Sequence, residues 1–400
     1  MAANHTFPPE LWEIICTELA DQQDPRFHWK YSIPVIKSAR TALYSLSLAS
    51  KMLRRTAQPL LLRSRWTGAE LGGFRIFVEN ILSKQRLASL VRCIEIAPCH
   101  SLVRGPEAAA ELLMLEEVAN RLGFDPSLFS TWGSEGDYFL VSHLSPLVQF
   151  LPCFLPKLKY LHIKLGGHRT PCKILQTLRQ MSIVTPFESV TTLLLVPADG
   201  NLDDWVLQRY SPLLALLPNL RLLSLWKCDG ILTEECSARE WYDSGESIVD
   251  WMPKGLQTIH MRACRLSSLP ITTLLANCHS LENVFYDSPG GFYHNYLPTT
   301  PATYCGIVQA LRPSKDTLRY LDLNIGPSRL HPRNYDVSND LAKMGQVLEE
   351  FPNVTYVSAN GKGYQKRNSE PFDWVYVKDT GNVRNRTWDF QFAMEQAMGF

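Results

Sequence analysis

The residues of this chain that could do covalent or metal chemistry do not fall at the spacings such chemistry requires. Cradling a phosphate takes a glycine-rich run of backbone N–H donors, yet neither G-x-x-x-x-G-K-[ST] nor G-x-G-x-x-G occurs. The G-x-S-x-G elbow and the H-E-x-x-H zinc helix are missing as well. "GKGY" at Gly361 reads as a glycine-bearing turn. Cys99-His100 and Cys278-His279 are adjacent pairs, a poor zinc arrangement when no second pair stands at ligand spacing. "DGNLDDW" at 199–205 gathers three carboxylates without the glycine position and terminal glutamate of a calcium loop, so it reads as solvated. The expectation is no catalytic residue, no metal ligand and no cofactor.

Composition narrows the partners. Lys+Arg 40 against Asp+Glu 39 gives a formal charge of +1 over 400 residues. A phosphate-backbone binder needs a net basic face, so no nucleic-acid partner is expected. No uncharged run of about 18 residues could span a bilayer, and the richest stretch, 211–226, is cut by Pro218, Asn219 and Arg221. No membrane partner is expected. The polar N-terminus reaches Pro8-Pro9 without the apolar segment of a signal peptide. Ten cysteines without a CxxC pair fit a reducing compartment, cytoplasmic and/or nuclear. The N-x-T sequons at Asn4, Asn353 and Asn385 are read as chance matches, because glycosylation requires secretion.

The elements emerge from the apolar residues. Triplets spaced one, four, six recur eight times: "VRCIEIAPC" from Val91, "LKYLHIKLG" from Leu158, "VTTLLLVPA" from Val190, "LRLLSLWKC" from Leu220, "LQTIHMRAC" from Leu256, "LENVFYDSP" from Leu281, "LRYLDLNIG" from Leu318 and "VTYVSANGK" from Val354. Side chains alternate along a strand, so the fourth and sixth positions point into one core and the first closes the turn before it. Tyr286 and Ala359 are weak sixth positions. Apolar runs ending in Pro or Asn precede several copies, so one unit reads as helix, turn and short strand. The pattern resembles the leucine-rich repeat, LxxLxLxx followed by Asn or Cys. Cys99, Cys228 and Cys264 at the ninth position resemble the cysteine type found in F-box leucine-rich proteins. Gly166, Ala198, Pro289, Gly326 and Lys362 depart from it. Anchors lie 25 to 37 residues apart except for a gap of 67 after Val91, which suggests an insertion near 123–143.

No leucine follows Leu348, and the tail turns aromatic with Phe372, Trp374, Tyr376, Trp388, Phe390 and Phe392. "DWVYVKDTGNVRNRTWDFQF" reads as two strands around "DTGN", a cap over the last repeat.

At the other end, "FPPELWEIICTELA" from Phe7 spreads Leu11, Trp12, Ile14, Ile15, Cys16 and Leu19 over an arc of about 200° at 100° per residue. Glu10, Glu13, Thr17 and Ala20 fall outside that arc. A helix so apolar is either deeply buried or serves its own domain and a partner. Pro9 suits a first helical turn, and Glu10 and Glu13 complement its positive end. Ser50 can cap a helix at 51–58 that Pro59 ends. The intervening 23 residues, with Asp24-Pro25 and Ile33-Pro34, read as loop.

Residues 7–62 resemble an F-box: Phe7, Pro8, Pro9, Glu10, Leu11, Ile15 and Leu19 match the LPxELxxxIxxxL opening, and Leu43, Leu46, Leu48, Ser50, Lys51, Leu53, Arg54, Ala57, Pro59 and Leu60 match the ending common in fungal F-box proteins. The resemblance implies an α/β architecture: a short all-α helical module at 1–65, an irregular leucine-rich-repeat solenoid at 66–360 and a β-rich cap at 361–400. It implies a substrate receptor of an SCF-type cullin-RING ubiquitin ligase that works by proximity. The Skp-family adaptor would dock on Phe7, Pro8, Pro9, Glu10, Leu11, Ile14, Ile15, Leu46, Leu48, Ser50, Lys51, Leu53, Pro59 and Leu60. An interaction scaffold without a ligase partner, its N-terminal helices serving only as a cap, is the rival reading.

Recognition of a target protein falls to strand positions three, five and seven, expected to face outward and align into a ladder. They carry Tyr160 and His162; Ser224 and Trp226; His260 and Arg262; Phe285 and Asp287; Tyr320, Asp322 and Asn324; Tyr356 and Ser358. Aromatic anchors among charges of both signs are typical of protein-binding surfaces. The aromatic loop "GGFYHNY" at 290–296 is placed at the rim.

Overall fold

The computed structural model describes residues 8–23, 33–66, 80, 81, 83–96, 155–165, 187–197, 207–228, 252–264, 266, 268–288, 302–325, 336–359, 362–366 and 374–379. The chain is mixed α/β and divides into two compact units, Met1–Gly166 and Gly167–Phe400. The expected insertion at 123–143, the loop at 290–296 and the carboxylate cluster at 199–205 lie outside the described residues, as do Phe7, Cys99 and the residues after Asp379.

The first unit opens with three helices, α1 (Pro9–Gln23), α2 (Ile33–Ala49) and α3 (Lys51–Arg63). Cys16, Ala20, Leu43 and Ala57 form their core, with Leu19, Leu46, Leu60 and Leu61 packed against it. Three of the four core residues are small, so the helices can approach closely. Ala20, assigned by sequence to the polar side of α1, is buried beside Cys16 one turn away. Two further expectations are corrected. Much of the loop expected after Leu19 is helix, because α1 runs on to Gln23 and α2 starts at Ile33, taking Pro34 into its first turn where a missing N–H costs nothing. Pro59 does not end α3 but lies inside it. Ser50 caps α3 as expected, its Oγ accepting from the Leu53 N–H at 3.1 Å.

After the helices come β1 (Ser64–Trp66), the one-turn helix α4 (Gln85–Ala88), β2 (Cys93–Ile96) and β3 (Tyr160–Leu165). β1 pairs parallel with β2, and β2 pairs parallel with β3.

The second unit contains β4 (Thr192–Pro197), α5 (Ser211–Ala215), β5 (Leu222–Trp226), β6 (Thr258–Arg262), α6 (Ser268–Ala276), β7 (Asn283–Ser288), α7 (Tyr304–Ala310), β8 (Tyr320–Ile325), α8 (Val337–Leu348), β9 (Tyr356–Ala359), β10 (Lys362–Lys366) and β11 (Trp374–Asp379). β4 to β9 pair in parallel in chain order. Each of the eight triplets thus carries one strand, two in the first unit and six in the second. The first and fourth positions of every copy are buried, and so are the sixth positions except Ile96, whose side chain is not described. Tyr286 and Ala359, the weak sixth positions, are buried too, and the Tyr286 hydroxyl donates to the Leu266 carbonyl at 3.4 Å.

The starts of most of the strands repeat one arrangement. The first-position N–H of Leu158, Val190, Leu220, Leu256 and Val354 donates three residues back, to Leu155, Phe187, Leu217, Pro253 and Phe351. All five acceptor residues are buried, an apolar position of the unit that the triplet did not include. A second-position carbonyl then accepts from two successive N–H groups of the next strand: Thr191 from Arg221 and Leu222, Arg221 from Gln257 and Thr258, Gln257 from Glu282 and Asn283, Glu282 from Arg319 and Tyr320. In the first unit Arg92 accepts in the same way from Lys159 and Tyr160. These bonds fix the register of each strand on its neighbour.

Past the strands, Lys227 and Ala263 hold φ of 51° and 52°. Both stand immediately before a ninth-position cysteine. Cys264 donates its N–H to the Asp287 carbonyl at 3.0 Å, and its thiol lies 3.5 Å from the Leu225 and Arg262 carbonyls. A β-carbon is strained at positive φ, whereas glycine is not. Ala263→Gly is therefore expected to raise the unfolding free energy by roughly 0.5 kcal/mol, part of the relief being offset by a freer unfolded chain. Urea titration would show it as a higher midpoint at unchanged slope.

At the C-terminal end, β10 pairs antiparallel with β9, and β11 pairs antiparallel with β10. Asn360-Gly361 separates the paired Ala359 and Lys362, and Asn-Gly is the strongest short hairpin signal. The strand expected after "DTGN" lies outside the described residues. The described partner of β11 is the strand before it.

Candidate protein-interaction surfaces

Two surfaces carry the residues that sequence assigned to binding. On the helical module, the core side of α1 is Cys16 and Ala20, which turns Leu11 and Ile14 away from it. They are 42% and 64% exposed. Pro8 precedes the helix, its carbonyl accepting from the Leu11 N–H at 3.1 Å; Pro8, Pro9 and Glu10 are all exposed. On α2 and α3, Leu48 is 57% exposed, and Ser50 and Lys51 are exposed. Ile15, Leu46, Pro59 and Leu60 are half-buried, with Leu46 and Leu60 packed on the module's own core. Leu53 is buried and available to no partner, because it shares a face of α3 with Ala57 one turn on.

Sequence reasoning missed Tyr44 and Met52, 58% and 44% exposed. For Tyr44 the signal was spacing, four residues before Leu48 on α2; Met52 stands in the first turn of α3. Arg54 Nε donates to the Ser47 carbonyl at 3.0 Å, which sets a cation against the C-terminal end of α2 beside this group.

The ladder departs from its expected exposure. In the first unit Tyr160 and His162 are buried. His162 Nδ1 lies 3.3 Å from Glu95 Oε2, and Glu95 is itself buried. A buried carboxylate requires a partner, and the neighbouring strand supplies one.

In the second unit His260, Phe285 and Asp322 are buried, while Trp226, Arg262, Tyr320 and Tyr356 keep partial exposure. The cause is stacking. Parallel strands stand about 4.8 Å apart, so outward side chains at one register cover one another. The His260 and Phe285 rings meet edge to face at 5.7 Å, the Phe285 and Tyr320 rings meet at a tilt of 32° at 5.0 Å, and Tyr320 stacks on Tyr356 at 4.5 Å. Two positions along, the Arg262 guanidinium sits 4.7 Å over the Trp226 ring, and Asn324 Nδ2 donates to Asp287 Oδ1 at 2.6 Å. Ser224 Oγ lies 3.1 Å from His260 Nδ1, a hydrogen bond between two buried groups that ties β5 to β6. Burial, and then the charge of Arg262, push the His260 pKa down to about 3, so the imidazole is neutral at physiological pH.

This face can offer a partner the rims of Trp226, Arg262, Tyr320 and Tyr356 on a pre-ordered aromatic row. Among the described residues no group of three or more His, Cys, Asp or Glu side chains could hold a metal, and no helix is long and apolar enough to cross a membrane. Burial drives the Cys278 thiol up to about 12, far from a reactive thiolate. No family model and no curated protein matches the chain.

Proposed function

We propose that this chain is the substrate-recognition subunit of an SCF-type cullin-RING ubiquitin ligase, binding the Skp-family adaptor through its N-terminal helices and a target protein through the strand-bearing region, organised as a leucine-rich-repeat solenoid. The observation carrying this reading is the exposure of Leu11 and Ile14 within the F-box-like motif. Large apolar side chains held outward on a folded helix are most simply accounted for by a docking partner. The interaction-scaffold reading would bury Leu11, Ile14, Pro59 and Leu60 against residues 66–78. Leu11 and Ile14 are exposed, Pro59 and Leu60 are half-buried with Leu60 on the module's own core, and residues 67–78 lie outside the described residues. In the ligase reading the chain contributes no catalytic group. It raises the local concentration of target at the transferring enzyme.

Target contacts are assigned to Trp226, Arg262, Tyr320 and Tyr356, ladder residues that keep partial exposure. His260, Phe285 and Asp322 support them from below.

The test is co-expression of the full chain with a Skp-family adaptor, followed by affinity capture. Deleting residues up to 65 is a poor comparison, because it cuts β1, which pairs with β2. The better comparison is Ile14→Asp, whose exposed site leaves the fold intact. Capture by the parent should fall at least about tenfold in the variant, as when a central interface contact is lost. A folded parent that captures no adaptor would remove the ligase reading.

A further inference from the structure

The helical module segregates charge by helix. α1 carries four carboxylates, Glu10, Glu13, Glu18 and Asp21, and no base. α2 and α3 carry six bases, Lys37, Arg40, Lys51, Arg54, Arg55 and Arg63, and no carboxylate. Each set surrounds exposed apolar residues. Glu10 and Glu18 lie one turn before and after Ile14, with Leu11 between, while Lys51 and Arg55 flank Met52 next to Leu48 and Tyr44. Glu10, Glu13, Glu18, Lys51 and Arg55 are all exposed and form no ion pair with any described residue.

We propose that these faces pair between two copies of the chain, the acidic α1 face of each against the basic α2–α3 face of the other. In a two-fold pair a patch and its complement meet twice, so both apolar centres are covered at once and all facing charges are opposite. The pairing goes beyond the ligase reading and does not depend on it. Because Leu11, Ile14 and Leu48 take part, a copy engaged in the pair cannot offer those residues to another partner.

Sedimentation equilibrium on the full chain, with no other protein present, tests this. The parent should rise with concentration from 45.5 kDa toward twice that mass. It should return toward the monomer as salt is raised from about 0.05 M to about 0.5 M, where exposed charges are screened. The double variants Glu13→Lys/Glu18→Lys and Lys51→Glu/Arg55→Glu should each remain monomeric, since like charges then face each other. An equimolar mixture of the two should recover the pair. All four positions are exposed, and an unchanged far-ultraviolet circular dichroism spectrum confirms that the helices persist in each variant. A parent that stays monomeric up to about 0.1 mM at low salt overturns the proposal and assigns the faces to a different protein. Association that survives either charge reversal, or a mixture that does not associate, overturns it equally.

Discussion

Asp340→Ala should lower the unfolding free energy by about 3 kcal/mol, because one buried carboxylate secures a helix 36 residues upstream. Asp340 projects from α8 and accepts from the Tyr304 N–H at 2.7 Å and the Cys305 N–H at 3.3 Å. Thr303 Oγ1 accepts from the Gly306 N–H at 3.0 Å, and the Thr303 carbonyl from the Ile307 N–H at 3.0 Å. The three donors Tyr304, Cys305 and Gly306 at the start of α7 are thus satisfied, two of them by α8, and Ile307 begins the regular helical ladder. Gly306 belongs to the same arrangement, since a β-carbon there would stand 2.8 Å from Thr303 Oγ1. Alanine at 340 strands two donors, one of them fully enclosed, and removes a negative charge from the positive end of a helix. The comparison is Asp336→Ala, which deletes the exposed cap that α8 supplies to its own Ser338 and Asn339, at a cost of about 1 kcal/mol. Urea titration of both variants separates the cases. Equal losses at the two sites would show that the bridge from α8 to α7 contributes nothing beyond an ordinary cap.

That bridge also marks where sequence stops being informative. The one-four-six triplets located eight strands and their inward residues because the signal is local: a period of two within six residues. The buried residue three before the first position that accepts its N–H recurs in six of the eight copies, but it appears as Ala88, Leu155, Phe187, Leu217, Pro253 and Phe351, a set without common chemistry. Asp340 reads in sequence as an ordinary early-helix acid, and only the packing of α8 on α7 gives it two distant donors. The ladder was legible in membership and not in exposure, since alternation says which side a residue faces and nothing about what stacks on it. His260 and Phe285 face the expected side and are buried there by neighbours one strand away. On α1 the wide hydrophobic arc left deep burial and a second surface both open, and Leu11 and Ile14 stand exposed. Which part served the core was decided by the small pair Cys16 and Ala20.

The second large effect is a loss of stability in acid that depends on His260. Its folded pKa, near 3, lies below the ordinary imidazole value of about 6.5, so the unfolded chain binds the extra proton first as pH falls. The neutral-imidazole contribution is complete above about pH 6.5 and drains away between there and about pH 3, at up to about 1.4 kcal/mol per pH unit. Between pH 7.5 and pH 5.0 the parent should lose roughly 2 kcal/mol from this group. Burial and the charge of Arg262 on the same strand both oppose the imidazolium, Phe285 packs its ring edge to face against it, and Ser224 Oγ lies 3.1 Å from Nδ1. His260→Gln keeps a polar, uncharged side chain and should show a correspondingly shallower decline, even though it starts from a lower stability at neutral pH. Taking the difference between the two proteins cancels the contribution of every other titrating group. Parallel declines in the two proteins would mean that protonated His260 is tolerated within the stack. The aromatic row would then be loose enough to admit water, and Tyr320 and Tyr356 would lose the rigid support that makes them credible anchors for a target.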